Sequence, residues 1–157
     1  MNKKKLVNVT KIEKNDSNLF NNKINKLNGV VLFHHPGCIH CIMLKPKWEM
    51  MKKQLHSAGE IMEVNAMALE KSDSPIKDKI EGFPMIVRIT NGEITDKFSE
   101  ERNVENMLKF VTKHLNETNN KLDYNYKFKN SKKKNIVKIK KTNKRKTNKH
   151  KTQKGKK

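Results

Sequence analysis

Cysteine is scarce in this chain. There are two in 157 residues, Cys38 and Cys41, and both fall in the stretch "FHHPGCIHC" at 33–41. A fold stapled by several disulfides is therefore excluded. Glycine is also sparse, at six residues, and neither GxGxxG nor GxxxxGK occurs, so no dinucleotide or phosphate loop is expected and no cofactor is implied. No stretch approaches the roughly 18 apolar residues of a membrane-spanning helix. The opening "MNKKKLVNVTKIEK" has basic residues but only a four-residue semi-apolar run after them, short of the about 7–15 apolar residues of a secretory signal. The expectation is a protein that stays inside a cell, in cytoplasm or nucleus or in a virion assembled there, with no membrane contact. In a reducing compartment two cysteines point to catalysis or metal binding.

Acidic residues are nearly missing from one end. Residues 121–157 hold 17 of the 36 basic groups and one of the 16 acidic ones, Asp123. The first 120 residues then carry 19 basic against 15 acidic groups, so the net +20 describes a near-neutral body with a basic extension. The extension has too little apolar surface to offset its ordering entropy. The expected division is a folded domain over 1–118 and a Lys-rich, disordered tail over 119–157.

Within the body, Leu6 to Val9 reads as a strand, and Leu19, Phe20, Ile24 and Leu27 recur at helical spacing up to a stop at Asn28-Gly29. "VVLF" (30–33) suits a central strand buried on both faces. Leu44, Trp48, Met51 and Leu55 mark one face of a helix that contains Pro46 and closes near Gly59. "EIMEV" (60–64) is a further strand, and a short helix is expected near Ser74-Pro75. "PMIVRIT" and "EITDKFS" flank Asn91-Gly92, a strong hairpin signal. Asn103 can cap a last helix with Val104, Leu108, Val111 and Leu115 as its buried stripe. The order β-α-β-α-β-α-β-β-α gives an α/β fold, a mixed sheet of four to five strands covered by helices on both faces.

The cysteine pair sits where the central strand meets a helix. Free N–H groups and the helix dipole favour an anion there. A free-thiol pKa of about 8.5 can fall to roughly 3.5–7.5 in such settings. Two intervening residues place the second sulfur one turn on, so Cys38 reads as nucleophile and Cys41 as resolving thiol. Zinc is the weak alternative: Cys38, Cys41 and two of His34, His35 and His40 supply four ligands on paper, but no distant second ligand pair exists.

Three segments carry a resemblance to the thioredoxin superfamily, over approximately residues 6 to 116. "CIHCIMLKP" is similar to the family's two cysteines followed by a helix proline, here Pro46. "GFPMIVRITNGE" resembles the segment with the family's cis-proline, which makes Pro84 that residue. "FSEERNVENMLKFV" looks like the closing strand and helix of protein disulfide isomerase domains. The resemblance implies a thioredoxin fold, a cis Phe83–Pro84 bond beside the sulfurs, and a substrate chain paired with the Phe83 backbone. His40 before the second cysteine resembles the isomerases and oxidases. Its imidazole would stabilise the Cys38 thiolate and make the disulfide more oxidising. Two departures stand out: Gly37 replaces the family's usual Trp, and Leu32 replaces the buried acid that helps deprotonate the resolving thiol. A histidine, Lys45 or water would then have to take that proton, or resolution is slow.

His34 and His35 are read as solvated loop residues, Arg88 and Lys45 as solvated charges, and Met43, Met50, Met51, Met62 and Met67 as packing against the sheet. The tail's charge density attracts polyanions by counterion release, and "YNYKFK" (124–129) interleaves aromatics that could stack on unpaired bases. Such a composition is similar to that of thioredoxin-domain proteins of large DNA viruses. Two functions follow. One is a thiol–disulfide oxidoreductase acting on protein disulfides and dithiols. The other is a nucleic-acid-binding or packaging protein with a catalytically weak thioredoxin-like module.

Overall fold

The computed structural model describes residues 7–118. Five strands form one sheet in the order β1-β3-β2-β4-β5: β1 (Val7–Ile12), β2 (Asn28–His34), β3 (Gly59–Asn65), β4 (Met85–Thr90) and β5 (Glu93–Lys97). β1, β3 and β2 run parallel, whereas β4 and β5 are antiparallel additions. The parallel pairs require crossovers, and helices α1 (Ser17–Ile24) and α2 (Ile39–Lys53) supply them. Helix α3 (Ala66–Glu70) and a 3₁₀ turn (Pro75–Lys79) lead to β4, and helix α4 covers 104–118. The fold is that of thioredoxin, as the sequence suggested.

Strand β2 organises the core because its alternate side chains enter opposite layers. Val31 and Phe33 join Phe20, Ile24 and Leu69 on one face. Val30 and Leu32 meet Leu44, Trp48 and Met51 of α2 and Val111 and Leu115 of α4 on the other. Burial of each such large side chain contributes about 1.5–3 kcal/mol of transfer free energy. α4 begins at its expected cap, where Asn103 Oδ1 accepts the Asn106 N–H at 2.8 Å. The β4–β5 turn places Asn91 at φ 51° and Gly92 at φ 81°, the pair of positive values a two-residue type I′ hairpin needs.

Several local expectations are corrected. Asn28-Gly29 does not stop α1, which ends at Ile24; both residues open β2. Gly29 is required by close approach, since a Cβ there would lie 2.2 Å from the Glu60 carbonyl oxygen. The short helix expected at Ser74-Pro75 does start there, with Ser74 as cap and Pro75 in its first turn, in 3₁₀ form, whereas the α3 helix before it is an addition to the expected order. Arg88 is not a solvated charge: it is 4% exposed and donates from Nη1 to the His114 carbonyl at 2.8 Å. β4 is an inner strand roofed by α4, so a side chain on that face has no route to water. Met43 and Met50 do not pack on the sheet. They lie on the outer face of α2 and are exposed, whereas Met51 and Met62 are buried. The 118/119 boundary and the basic tail lie at or beyond the limit of the described residues.

Candidate active site

Helix α2 starts immediately after Cys38, whose extended backbone (φ −88°, ψ 120°) makes it the N-cap. Its thiol is free and half-buried, and it donates to the Phe83 carbonyl oxygen at 3.4 Å. The Phe83–Pro84 bond is cis. The Cys38–Phe83 hydrogen bond joins the loop before β4 to the start of α2, 45 residues away in the chain. Arg102, just before α4, fixes it from the other side by donating from Nη2 to the Pro84 carbonyl at 3.0 Å.

The two sulfurs are pushed apart in acidity. The Cys38 pKa is lowered, foremost by the backbone N–H of Cys41, and further by the Cys41 side chain, the His40 N–H and the Arg102 charge. These backbone N–H groups are the unpaired donors of a helix start, and they converge on the sulfur at the helix's open end. The Cys41 pKa is raised, foremost by burial, although its sulfur accepts the His35 N–H at 3.4 Å. At neutral pH the outer sulfur is the better nucleophile, and the inner one holds its proton. That division of labour is what attack followed by resolution requires.

The neighbouring histidines separate by environment. His40 is exposed on the first turn of α2, and it acts on Cys38 through its main-chain N–H. His35 is half-buried and is no free loop side chain: its Nδ1 accepts the Gly37 N–H at 3.0 Å, and its ring faces Phe83 at 6.1 Å between centroids. His35 thus lies between Gly37, whose N–H it accepts, and the Phe83 ring. His34, also half-buried, has its pKa lowered, foremost by burial. Lys45 is exposed, as expected. Among the described residues, no three His, Cys, Asp or Glu side chains are grouped as metal ligands.

Two residues near the sulfurs escaped the sequence reading. Arg102 lies within "FSEERNVENMLKFV", and nothing in its spacing announces that it reaches the loop of Pro84. Glu63 is 8% exposed inside β3 and accepts the Trp48 indole N–H at 2.9 Å and the Lys52 ammonium on the same oxygen, Oε1. Its signal was visible: a charge in the middle of a buried parallel strand demands a partner.

Residues 9–113 match the family model described as Thioredoxin, and the chain belongs to that family. It is 27% identical over 88 residues to the "Thioredoxin domain-containing protein 5 homolog" of Drosophila melanogaster, covering 54% of this chain and 21% of that protein. It is 29% identical over 87 residues to the "Probable protein disulfide-isomerase A4" of Caenorhabditis elegans, covering 54% of this chain and 14% of that one. The chain therefore spans about a fifth or less of these relatives. Among solved structures, the J-Trx1 fragment of ERdj5 superposes with a TM-score of 0.55 at 23% identity, over 69% of this chain and 52% of that one, which is a likeness of fold. The isomerase-like relatives, taken with the Cys38–Cys41 pair, indicate thiol–disulfide oxidoreductase chemistry in general terms.

Proposed function

We propose that this domain exchanges disulfides with protein substrates through Cys38 and Cys41. The Cys38 thiolate attacks a substrate disulfide and forms a mixed disulfide, which Cys41 resolves; in the oxidising direction a substrate thiolate attacks Cys38 of the Cys38–Cys41 disulfide. An extended substrate segment lies along Phe83 and Pro84. His40 tunes the thiolate from the exposed turn. The observation that carries this reading is the contrast between the two sulfurs, the outer one favoured as anion and the inner one as thiol. Placement of the Cys38 sulfur 3.4 Å from the Phe83 carbonyl supports the groove. In a dithiothreitol–insulin assay the protein accelerates insulin precipitation and the Cys38→Ser variant does not. Equal rates for the two proteins would reject the proposal.

A second role is favoured by one feature of the sequence, the 17 basic groups against one acid in residues 121–157. We infer that this segment contacts nucleic acid or another polyanion without sequence preference. The full chain should shift a labelled oligonucleotide in a gel at low salt, and deletion of residues 121–157 should abolish the shift while sparing insulin reduction. A shift that survives the deletion would remove the tail from that role.

A further inference from the structure

Cys41 must lose a proton to attack the mixed disulfide, and the chain lacks an acid at position 32, where the resemblance to the family led one to expect it. Leu32 stands there, directly opposite Glu63 in the parallel β2–β3 register. A cavity of about 320 Å³ with a mixed apolar and polar lining opens beside the cysteine pair, and Leu32, His34, Cys41, Lys45, Trp48 and Glu63 all line it. The cavity is large enough for water, and Cys41, His34, Lys45 and Glu63 give such water polar partners. Glu63 uses Oε1 for both Trp48 and Lys52. Its Oε2 faces Lys11 Nζ at 4.0 Å, beyond hydrogen-bond distance, so this oxygen keeps acceptor capacity.

We propose that Glu63 is the proton acceptor for Cys41, a buried carboxylate supplied by β3 where β2 carries leucine. The proposal rests on the dithiol reading above. In the mixed disulfide, Cys38 Sγ is bonded to a substrate sulfur. The Cys41 proton passes through cavity water to Glu63 Oε2, and the Cys41 thiolate attacks Cys38 Sγ. The Cys38–substrate bond breaks with its electron pair on the substrate sulfur, which leaves as a thiolate and takes up a proton. The Cys38–Cys41 disulfide forms, so the cysteine pair is oxidised by two electrons and the substrate disulfide is reduced. The charges around the acceptor are mixed. Lys11 faces it from β1, with Glu13 just beyond that strand; His34 faces it from β2, and Lys45, Glu49 and Lys52 from α2. Lys52 and Trp48 anchor Oε1, and Oε2 is left with Lys11 at 4.0 Å.

The test is stopped-flow reaction of the reduced full chain with 5,5′-dithiobis(2-nitrobenzoate), followed by release of the yellow thiolate. The first phase reports attack by Cys38, the second resolution by Cys41. Glu63→Gln should leave the first phase within about twofold and slow the second by about 100-fold near neutrality, the lower end of general-base contributions. The deficit should shrink as pH rises, when hydroxide takes over. Restoring an acid at the facing position, as Glu63→Gln with Leu32→Glu, should recover most of the rate. Should Glu63→Gln fail to fold, Glu63→Gln with Lys52→Met removes both charges together and should show the same slow second phase. An unchanged second phase in a folded variant overturns the proposal. So does a loss reproduced by His34→Gln and absent from Glu63→Gln, which would make the imidazole the acceptor. Absence of a fast first phase in the unaltered protein would instead sink the dithiol reading, and this proposal with it.

Discussion

Replacement of Arg88 by methionine tests whether the link between β4 and α4 is correctly described. Arg88 is 4% exposed, with Nη1 donating to the His114 carbonyl at 2.8 Å and Nε to Thr90 Oγ1 at 3.3 Å. Its pKa is lowered by burial, with Glu117 opposing, but a guanidinium stays charged throughout the working range. A hydrogen bond from a charged group contributes about 1.5–3 kcal/mol. The His114 carbonyl is not orphaned by the change, because the Thr118 hydroxyl also donates to it at 3.0 Å. Methionine keeps the apolar stem, and removal of a desolvated charge returns part of the loss. Arg88→Met should therefore cost about 1–2 kcal/mol. Arg88→Ala deletes two further buried methylenes, at about 0.8 kcal/mol each plus a cavity, and should cost about 3–4 kcal/mol. Urea unfolding at pH 7 reads both as shifts of midpoint with the slope unchanged. A solvated arginine would give changes within roughly 0.5 kcal/mol for both variants, and that result would refute the burial argument.

Three further outcomes follow from the site. Alkylation of Cys38 should show a thiolate midpoint below that of an unstructured peptide thiol, because reactivity rises as pH climbs through a lowered pKa; Cys41→Ala should retain most of the effect, since the foremost cause is the backbone N–H of residue 41. Equal rates for Cys38 and a peptide thiol at pH 6 would contradict the helix-start account. Arg102→Met should slow that alkylation at pH 6 by removing a positive charge that lowers both thiols; because Arg102 is exposed, the difference should fade at 1 M salt, where the screening length is about 3 Å. The reduction potential should lie nearer the roughly −180 mV of disulfide isomerase than the about −270 mV of thioredoxin, since thiolate stabilisation favours the reduced form. A glutathione titration at or below the thioredoxin value would exclude this.

The parts legible in the sequence are those set by neighbours along the chain. The apolar run of β2, the Asn91-Gly92 hairpin, the Asn103 cap and the Leu44, Trp48 and Met51 part of the α2 stripe each depend on a few consecutive residues and reappear in the fold, whereas Leu55 falls past the end of α2 at Lys53, short of the expected close near Gly59. Helix α3 was missed because five residues, Ala66–Glu70, are too few to show a period. Residue type alone points Met43 and Met50 to the core, yet they fall off the stripe that Leu44, Trp48 and Met51 define and are exposed. Arg88 failed for the opposite reason: its neighbours placed it in a strand, but only α4, folding back from residue 104 onward, decides that the strand's face is roofed.

The missing acid shows where reading along the chain stops. Position 32 holds leucine, and a search confined to β2 concludes that no carboxylate serves the resolving thiol. A parallel sheet, however, sets residues side by side that lie far apart in sequence, and one register step decides which face they share. Leu32 and Glu63 are such a pair. A carboxylate need not project from β2, the strand that leads into the cysteine pair; it must reach the same cavity and be held there. Trp48 and Lys52 hold Glu63 from α2, the helix that carries Cys41. Charge, anchor and thiol are thus joined through one helix and one strand pairing. If Leu32→Glu recovers resolution in the Glu63→Gln protein, the sheet tolerates the acid on either strand, and the requirement is for a buried carboxylate at the cavity rather than for one sequence position.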